Sequence, residues 1–260
     1  MDDIFSIERP FESWKILGFN GKMARFFPHL ESTHRYSKEN LQELEAGDVI
    51  VADSQSSGRG RHNRTWLSPK GKNLYFNILY PLESFAPREY PQLMQISAIT
   101  IAQIFREIGI DASVKWPNDI LCEKKKVCGM ISEILTKNGN KLLTLGIGID
   151  VNADEDDLKS IDRPVSSLKI LLRRSVNREV LLQTIINKLQ RSVELAQAKG
   201  VAPWIDEWRK MDRFIGNPAK IVEGNKIIEG TILDINDDGS LLFCTQSGQI
   251  ITRHTGDLEI

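Results

Sequence analysis

From Val49 to Asn152 the chain makes a series of short apolar or β-branched runs, each cut off by turn residues, and only one long run of helical periodicity interrupts them. That pattern restricts the fold to a mostly hairpin-built sheet with a helix packed behind it. Leu41 to Ala46 has helical character, and the turn Gly47-Asp48 leads into Val49-Ile50-Val51-Ala52, apolar throughout as a buried strand is. Asn73 to Tyr80 is aromatic and β-branched enough for a second central strand, with Pro81 as its end. Between Pro91 and Gly109 apolar residues crowd most faces, which predicts a core helix stopped by Gly109. Val114-Lys115-Trp116 reads as a strand end, because Pro117 pushes Trp116 into an extended conformation and Asn118-Asp119 favour a turn. Ile120 to Cys122 resumes a strand, Glu123 to Lys126 forms a hairpin tip, and two more strands, Gly129 to Leu135 and Lys141 to Asn152, flank Asn138-Gly139.

The second half of the chain changes character twice. Asn177 can cap a helix in which Leu182, Ile185, Leu189, Val193 and Ala196 repeat at helical spacing and Gly200 closes the run. A short helix follows Pro203, with Trp204 and Trp208 on one face. After Phe214 the periodicity drops to short strands, Ala219 to Val222, Ile227 to Ile235, Leu241 to Cys244 and Ile250 to Thr252, separated by Gly224-Asn225, Asp237-Asp238-Gly239 and Ser247-Gly248. Hairpins of this length make a small barrel. The expected division is therefore 1–214 and 215–260, near Gly216-Asn217-Pro218.

Composition excludes several classes. With 260 residues, 41% hydrophobic and 27% charged, the chain has the make-up of a globular protein. No apolar stretch reaches the roughly 18 residues a membrane span needs, and the start lacks the basic and apolar regions of a signal peptide, so a cytoplasmic location is expected. Cys122, Cys128 and Cys244 lack the paired spacing of a zinc site and are expected to be reduced thiols. Residues 1–30 are too short for the three-helix winged module of a DNA-binding head.

Against that background, Gln55 to Trp66 stands out, reading Gln-Ser-Ser-Gly-Arg-Gly-Arg-His-Asn-Arg-Thr-Trp. Gly58 and Gly60 let the backbone come close to a ligand, Arg59, Arg61 and Arg64 offer planar forks for carboxylate or phosphate oxygens, and Trp66 can stack on a base. His62 is read as a loop residue, and Asn63 as one that tolerates positive φ. From Ser57 to Lys72 there are five Lys or Arg and no acid, in a chain of formal net charge -1. So local a field suits a small anion better than a nucleic-acid polymer. A solvated turn is the structural alternative.

Two further constellations accompany the loop. Lys115-Trp116-Pro117-Asn118-Asp119 is followed by Lys126 and Gly129, so a Lys and an Asp on facing ends of a hairpin could grip an anion and its attacking group. A surface hairpin with solubilising tip charges is the alternative. In Leu145 to Asn152 the alternating Gly146 and Gly148 share one strand face and leave a flat slot there. A flat ligand could lie in it; a bend or bulge would have the same spacing.

Taken as a set, Gly-Arg-Gly-Arg with its downstream Arg and Trp, Lys-Trp-Pro-Asn-Asp, Lys126-Val127-Cys128-Gly129, Gly-Ile-Gly-Ile and the leading Ser32-Thr33 resemble the biotin protein ligases. Order and spacing hold from about Glu31 to Asn152, and Trp204 to Pro218 with the terminal strands also matches. The resemblance implies an α+β fold: a mixed-sheet catalytic domain like that of class II aminoacyl-tRNA synthetases, followed by an SH3-like barrel. It implies ATP-dependent activation of biotin to an adenylate with Mg²⁺, then transfer to a lysine of a biotin carboxyl carrier protein, an acetyl-CoA carboxylase subunit. It further implies a monofunctional enzyme with no DNA partner and no membrane, a homodimer being one possible assembly. By the same resemblance Ser32, Thr33, Gln55, Gly58, Arg59, Lys126, Gly129, Gly146 and Gly148 would surround biotin. Arg61, Arg64, Trp66, Lys115, Asn118 and Asp150 would meet ATP, Asp119 would be the candidate Mg²⁺ ligand, and Arg59, Arg61, Lys115, Asp119 and Lys126 would act in catalysis. Two positions depart from the family: His34 stands where Asn usually follows Ser-Thr, and Asp150 where Asn follows Gly-Ile-Gly-Ile.

Two rivals remain at this level. A lipoate ligase shares the implied fold and adenylate logic but has tandem-Arg and triple-Gly features absent here. A non-catalytic RNA-binding module would use the Arg loop and barrel as an adaptor surface, against which the net charge argues.

Overall fold

In the structure, a computed structural model that describes residues 2–224 and 226–260, the expected hairpins assemble into one seven-stranded sheet. Its strands are β1 (Arg25–Phe27), β2 (Val49–Ala52), β3 (Leu74–Pro81), β4 (Ala112–Lys115), β5 (Asp119–Cys122), β6 (Lys125–Lys137) and β7 (Asn140–Ile149). They lie in the order β1-β2-β3-β7-β6-β5-β4, with β1 and β2 parallel and every other neighbour antiparallel. The β6–β7 hairpin turns on Asn138 and Gly139, both at positive φ (51° and 85°), the conformation for which an Asn-Gly pair is selected. At the β5–β6 tip, Glu123 and Lys124 carry positive φ of 50° and 63°, so the turn is two residues shorter than the sequence pattern indicates.

Helices α1 (Thr33–Glu39), α2 (Tyr90–Glu107), α3 (Glu155–Leu158), α4 (Leu168–Leu172), α5 (Arg178–Lys199) and α6 (Ala202–Met211) complete this half. The main core fills one side of the sheet: Val49, Val51, Phe76 and Ile78 alternate toward it and meet Ile96, Ile99 and Phe105 of α2 and Leu182, Ile185 and Leu189 of α5. Gly109, at φ +92°, ends the turn after α2, and Asn177 caps α5 by accepting from Val180 N at 3.1 Å. The opposite side carries a smaller cluster of Leu44, Ile50, Leu79 and Leu142 under α1, and leaves the rest of that face open for a site.

Helix placement near residue 40 differs from expectation. Helix α1 precedes Leu41, and Leu41–Glu43 is only a 3-10 turn. Ser32 starts α1 by accepting from Arg35 N at 3.4 Å, and Gln55 Oε1 accepts from Thr33 N at 2.8 Å. The apolar content of Thr33–Glu39 is too low to mark a helix by periodicity. Residues 2–30 add no helical module of their own; Ile4, Phe11, Trp14 and Ile16 are buried in the main core.

The C-terminal strands, β8 (Pro218–Glu223), β9 (Lys226–Ile235), β10 (Leu241–Thr245), β11 (Ile250–Arg253) and β12 (Asp257–Glu259), form a second, antiparallel sheet in the order β11-β10-β9-β8-β12. Asn225 of the expected Gly224-Asn225 turn lies outside the described residues. β12 has no counterpart in the sequence reading, since three residues with one buried leucine, Leu258, give no periodicity. Cys122, Cys128 and Cys244 are free; burial pushes the Cys122 thiol up to about 12 and that of Cys128 well above its usual value. No helix among the described residues is long and apolar enough to cross a membrane.

Candidate active site

Ladder register builds the floor of the site. Asp119 pairs with Gly129, Gly129 with Gly148, and Ile131 with Gly146, so these residues share the sheet face that carries α1. A Cβ on Gly148 would lie 2.5 Å from Trp66 Cε2, and one on Gly129 would lie 2.8 Å from Trp66 Cζ3 and from Lys126 Nζ. The flat slot expected at the alternating glycines therefore exists, and the indole of Trp66 lies in it. Its Nε1 is buried without a hydrogen-bond partner. Gly146 lies deeper, where a Cβ would come 3.0 Å from Ile131 and 3.4 Å from His34.

Over this floor residues 58–66 form a tight hairpin rather than an open loop. Arg59 bridges Thr65, Gly60 N donates to Arg64 O at 2.7 Å, and Trp66 N donates to Gly58 O at 2.8 Å. Its tip turns at His62 (φ +53°), not at Asn63. Between hairpin and floor lies a narrow cavity of about 60 Å³. Ser32, Thr33, Gln55, Arg59, Arg61, Arg64, Trp66, Asn118, Asp119, Lys126, Gly129, Gly146 and Gly148 of the expected set all line it.

Three expected residues do not. Gly58 is buried beneath the hairpin, where a Cβ would meet Trp66 O at 2.5 Å and Ser68 Oγ at 2.7 Å, so it seats the loop. Lys115 lines the adjoining cleft instead, and burial pulls its pKa down against the pull of Asp119. Asp150 is buried just past the end of β7, 4% exposed, accepting from Asn73 Nδ2 at 2.9 Å. Sequence reasoning overlooked Arg163 and Asp257, which line both the cavity and the cleft. The apolar walls Met130, Ile131 and Ile147 were visible only as strand residues.

Charge is balanced locally. Lys126 Nζ sits 2.5 Å from Asp119 Oδ1 and 5.4 Å from the Trp66 ring centroid. The Asp119 contact is ionic rather than a directed hydrogen bond. Asn118 fixes the preceding turn by donating to Met130 O at 2.6 Å, and its Oδ1 accepts from Arg61 Nη1 at 3.4 Å. At the deep end His34 contacts Glu133 at 3.5 Å, and burial pulls its pKa down. Among the described residues no group of three or more His, Cys, Asp or Glu could hold a metal ion.

Burial pushes the Asp150 carboxyl up to about 7, with Lys126 and Arg163 opposing the shift. Because this folded value exceeds the usual 3.8, the folded protein binds the extra proton between them, and stability declines as pH rises through that window. Asp150→Asn should therefore be more stable than the parent at pH 8, by about 2 to 4 kcal/mol, with the gap closing toward pH 4. Urea unfolding across pH checks this; a gap independent of pH would contradict it.

Comparison with known proteins bears on the same region. A profile of the Biotin/lipoate A/B protein ligase family matches residues 26–152. The bifunctional ligase/repressor of Escherichia coli is 31% identical over 249 residues, covering 95% of this chain and 77% of that protein. The biotin--[acetyl-CoA-carboxylase] ligase of Mycobacterium tuberculosis is 22% identical over 218 residues, covering 82% of this chain and 78% of that one. Among solved structures, biotin protein ligase from Aquifex aeolicus in complex with biotin and ATP superimposes with a TM-score of 0.77 at 27% identity, covering 91% of this chain and 97% of that one.

Proposed function

The chain belongs to the biotin protein ligase family, and from its own site we propose that it activates biotin with ATP and transfers it to a lysine of a biotin carboxyl carrier protein. The observation that carries this reading is the cavity itself, where Arg59, Arg61, Arg64 and Lys126 gather over a glycine floor beside Asp119. Two anions have to meet for adenylation, and such a cluster lowers the cost of bringing them together. The reading takes the seven-stranded half as a class II synthetase-like catalytic domain and residues 215–260 as an SH3-like barrel. It takes the protein as a monofunctional ligase, not a repressor, working in the cytoplasm.

In the first half-reaction a biotin carboxylate oxygen bonds to the α-phosphorus of ATP while the bond toward the β-phosphate breaks and pyrophosphate departs with the electron pair. Ser32, Thr33, Gln55, Lys126, Gly129, Gly146 and Gly148 would hold biotin together with Arg59, which stands on the hairpin that Gly58 seats. Arg61, Arg64, Trp66, Asn118 and, from the cleft, Lys115 would hold the nucleotide. Asp150 would act from behind Lys126. Mg²⁺ would enter as part of the nucleotide substrate, with Asp119 as one ligand and, among the described residues, no protein cage. In the second half-reaction a neutral lysine amine attacks the carboxyl carbon of the anhydride and AMP leaves. Neutralising that lysine at pH 7 costs about 4 to 5 kcal/mol. With Lys126 against its Oδ1, Asp119 is suited to orient the amine and stabilise its charge before it is suited to accept the proton.

The test is ATP-dependent mass gain on the acceptor lysine of an apo carrier domain supplied with biotin. Labelling with lipoate but not biotin would transfer the assignment to the rival ligase. Arg61→Gly should let adenylate escape and label bystander lysines, and retention equal to the parent would mean the hairpin is not the seal. Trp66→Ala should raise the ATP requirement about tenfold while shifting that for biotin less, since base stacking on an aromatic is worth about 1 to 3 kcal/mol. Equal shifts would contradict the stacking role.

A further inference from the structure

The second sheet touches the cationic hairpin at one strand, β12. Arg64 Nη2 lies 2.7 Å from Asp257 Oδ2, while His62 Nε2 and Arg61 Nη1 each lie 3.5 Å from Asp257 Oδ1. Arg61 Nη1 also donates to Gly256 O at 3.0 Å. The Asp257 side chain is 12% exposed, and its backbone is fixed by pairing with Val222 of β8 and by burial of the adjacent Leu258. Three side chains from the hairpin tip therefore converge on one carboxylate and its neighbouring carbonyl. Burial disfavours the charge on Arg61, and Asp257 is the foremost group restoring it. At the base of the hairpin, Trp66 is seated on Gly129 and Gly148. Backbone bonds between residues 58 and 66 hold the hairpin's own shape, while its position over the cavity depends on these two attachments.

We propose that Asp257 is a positioning residue for the flap: it ties Arg61 and Arg64 over the cavity mouth, and so sets how long an activated acid is retained beneath them. This gives the second sheet a task in the first half-reaction, and it rests on the adenylate-forming reading above. The opposite role for the same contact would be competition, with Asp257 occupying guanidinium groups that a phosphate needs. The two roles differ in sign. A tie predicts that removing the carboxylate loosens the hairpin and speeds escape of adenylate, whereas a competitor predicts tighter nucleotide binding with retention unchanged.

The experiment compares the full-length parent, Asp257→Asn and Asp257→Glu by amide hydrogen exchange of residues 58–66 and by labelling of bystander lysines in the presence of biotin and MgATP. Asp257→Asn should exchange about tenfold faster in the hairpin, with the core strands unchanged, and should label bystanders more. Asp257→Glu should stay close to the parent. Unchanged hairpin exchange, or tighter nucleotide binding without leakage, would overturn the proposal. Should Asp257→Asn fail to fold, Arg64→Gln removes the other half of the pair at an exposed position and is read by the same exchange: faster supports the tie, unchanged overturns it. A parent that forms no adenylate would remove the ligase reading and the retention role with it, whereas unchanged exchange in an adenylate-forming protein would remove the role of Asp257 alone.

Discussion

Lys126→Gln should slow adenylate formation by about 10²- to 10³-fold, the loss expected when one preorganised charge is removed from a water-poor site. Lys126 is where the constellations meet: it pairs with Asp119, stands over the Trp66 ring and lies against the face kept open by Gly129. Its removal also leaves Asp119, a largely buried negative charge facing two anionic substrates, with only Lys115 and Arg61 to offset it. The double variant Lys126→Gln/Asp119→Asn should therefore be less impaired than the product of the single effects. Single-turnover adenylation measures both quantities. A loss below about threefold for Lys126→Gln, or strictly multiplicative effects in the double variant, would remove this pair from the chemistry.

The second large effect concerns stability. Arg178, at the first turn of α5, is 4% exposed and donates to Glu8 through Nε and Nη2, and through Nη1 to Asp53 Oδ1 at 2.9 Å and Asn73 O at 3.1 Å. Burial opposes its charge, and the hydrogen bonds to Glu8 and Asp53 more than offset that opposition. One guanidinium thus joins the N-terminal segment, the end of β2, the start of β3 and α5. Arg178→Met would strand two carboxylates, of which Asp53 is 4% exposed, and should cost about 3 to 5 kcal/mol in urea unfolding at pH 7. A cost under about 1 kcal/mol would show the network to be dispensable.

Local chemistry explains which parts of this architecture were readable in advance. β2, β3 and the β6–β7 hairpin declared themselves because apolar runs and an Asn-Gly turn act over a few residues. The glycine slot was readable because strand alternation is fixed at two. α1 was not, because its seven residues, Thr33 to Glu39, start from Ser32 and Gln55 contacts rather than from an apolar stripe. β12 is still shorter, and its consequence is wholly non-local: Arg61 meets Gly256 across 195 positions of sequence. Most of the cavity lining came from motif residues. The occupant of the slot did not, since only the folded hairpin brings Trp66 over Gly148. Nor could spacing reveal that the Asp150 side chain is buried against Asn73 rather than in the cavity.

The central claim is that this cationic pocket makes and keeps an acyl-adenylate. Its most direct test is acid-quenched mass analysis of the protein mixed with MgATP and biotin, with lipoate in a parallel reaction. The account predicts protein-bound biotinyl-adenylate with release of pyrophosphate, and none from lipoate. Absence of any acyl-adenylate, or formation from lipoate alone, would contradict it.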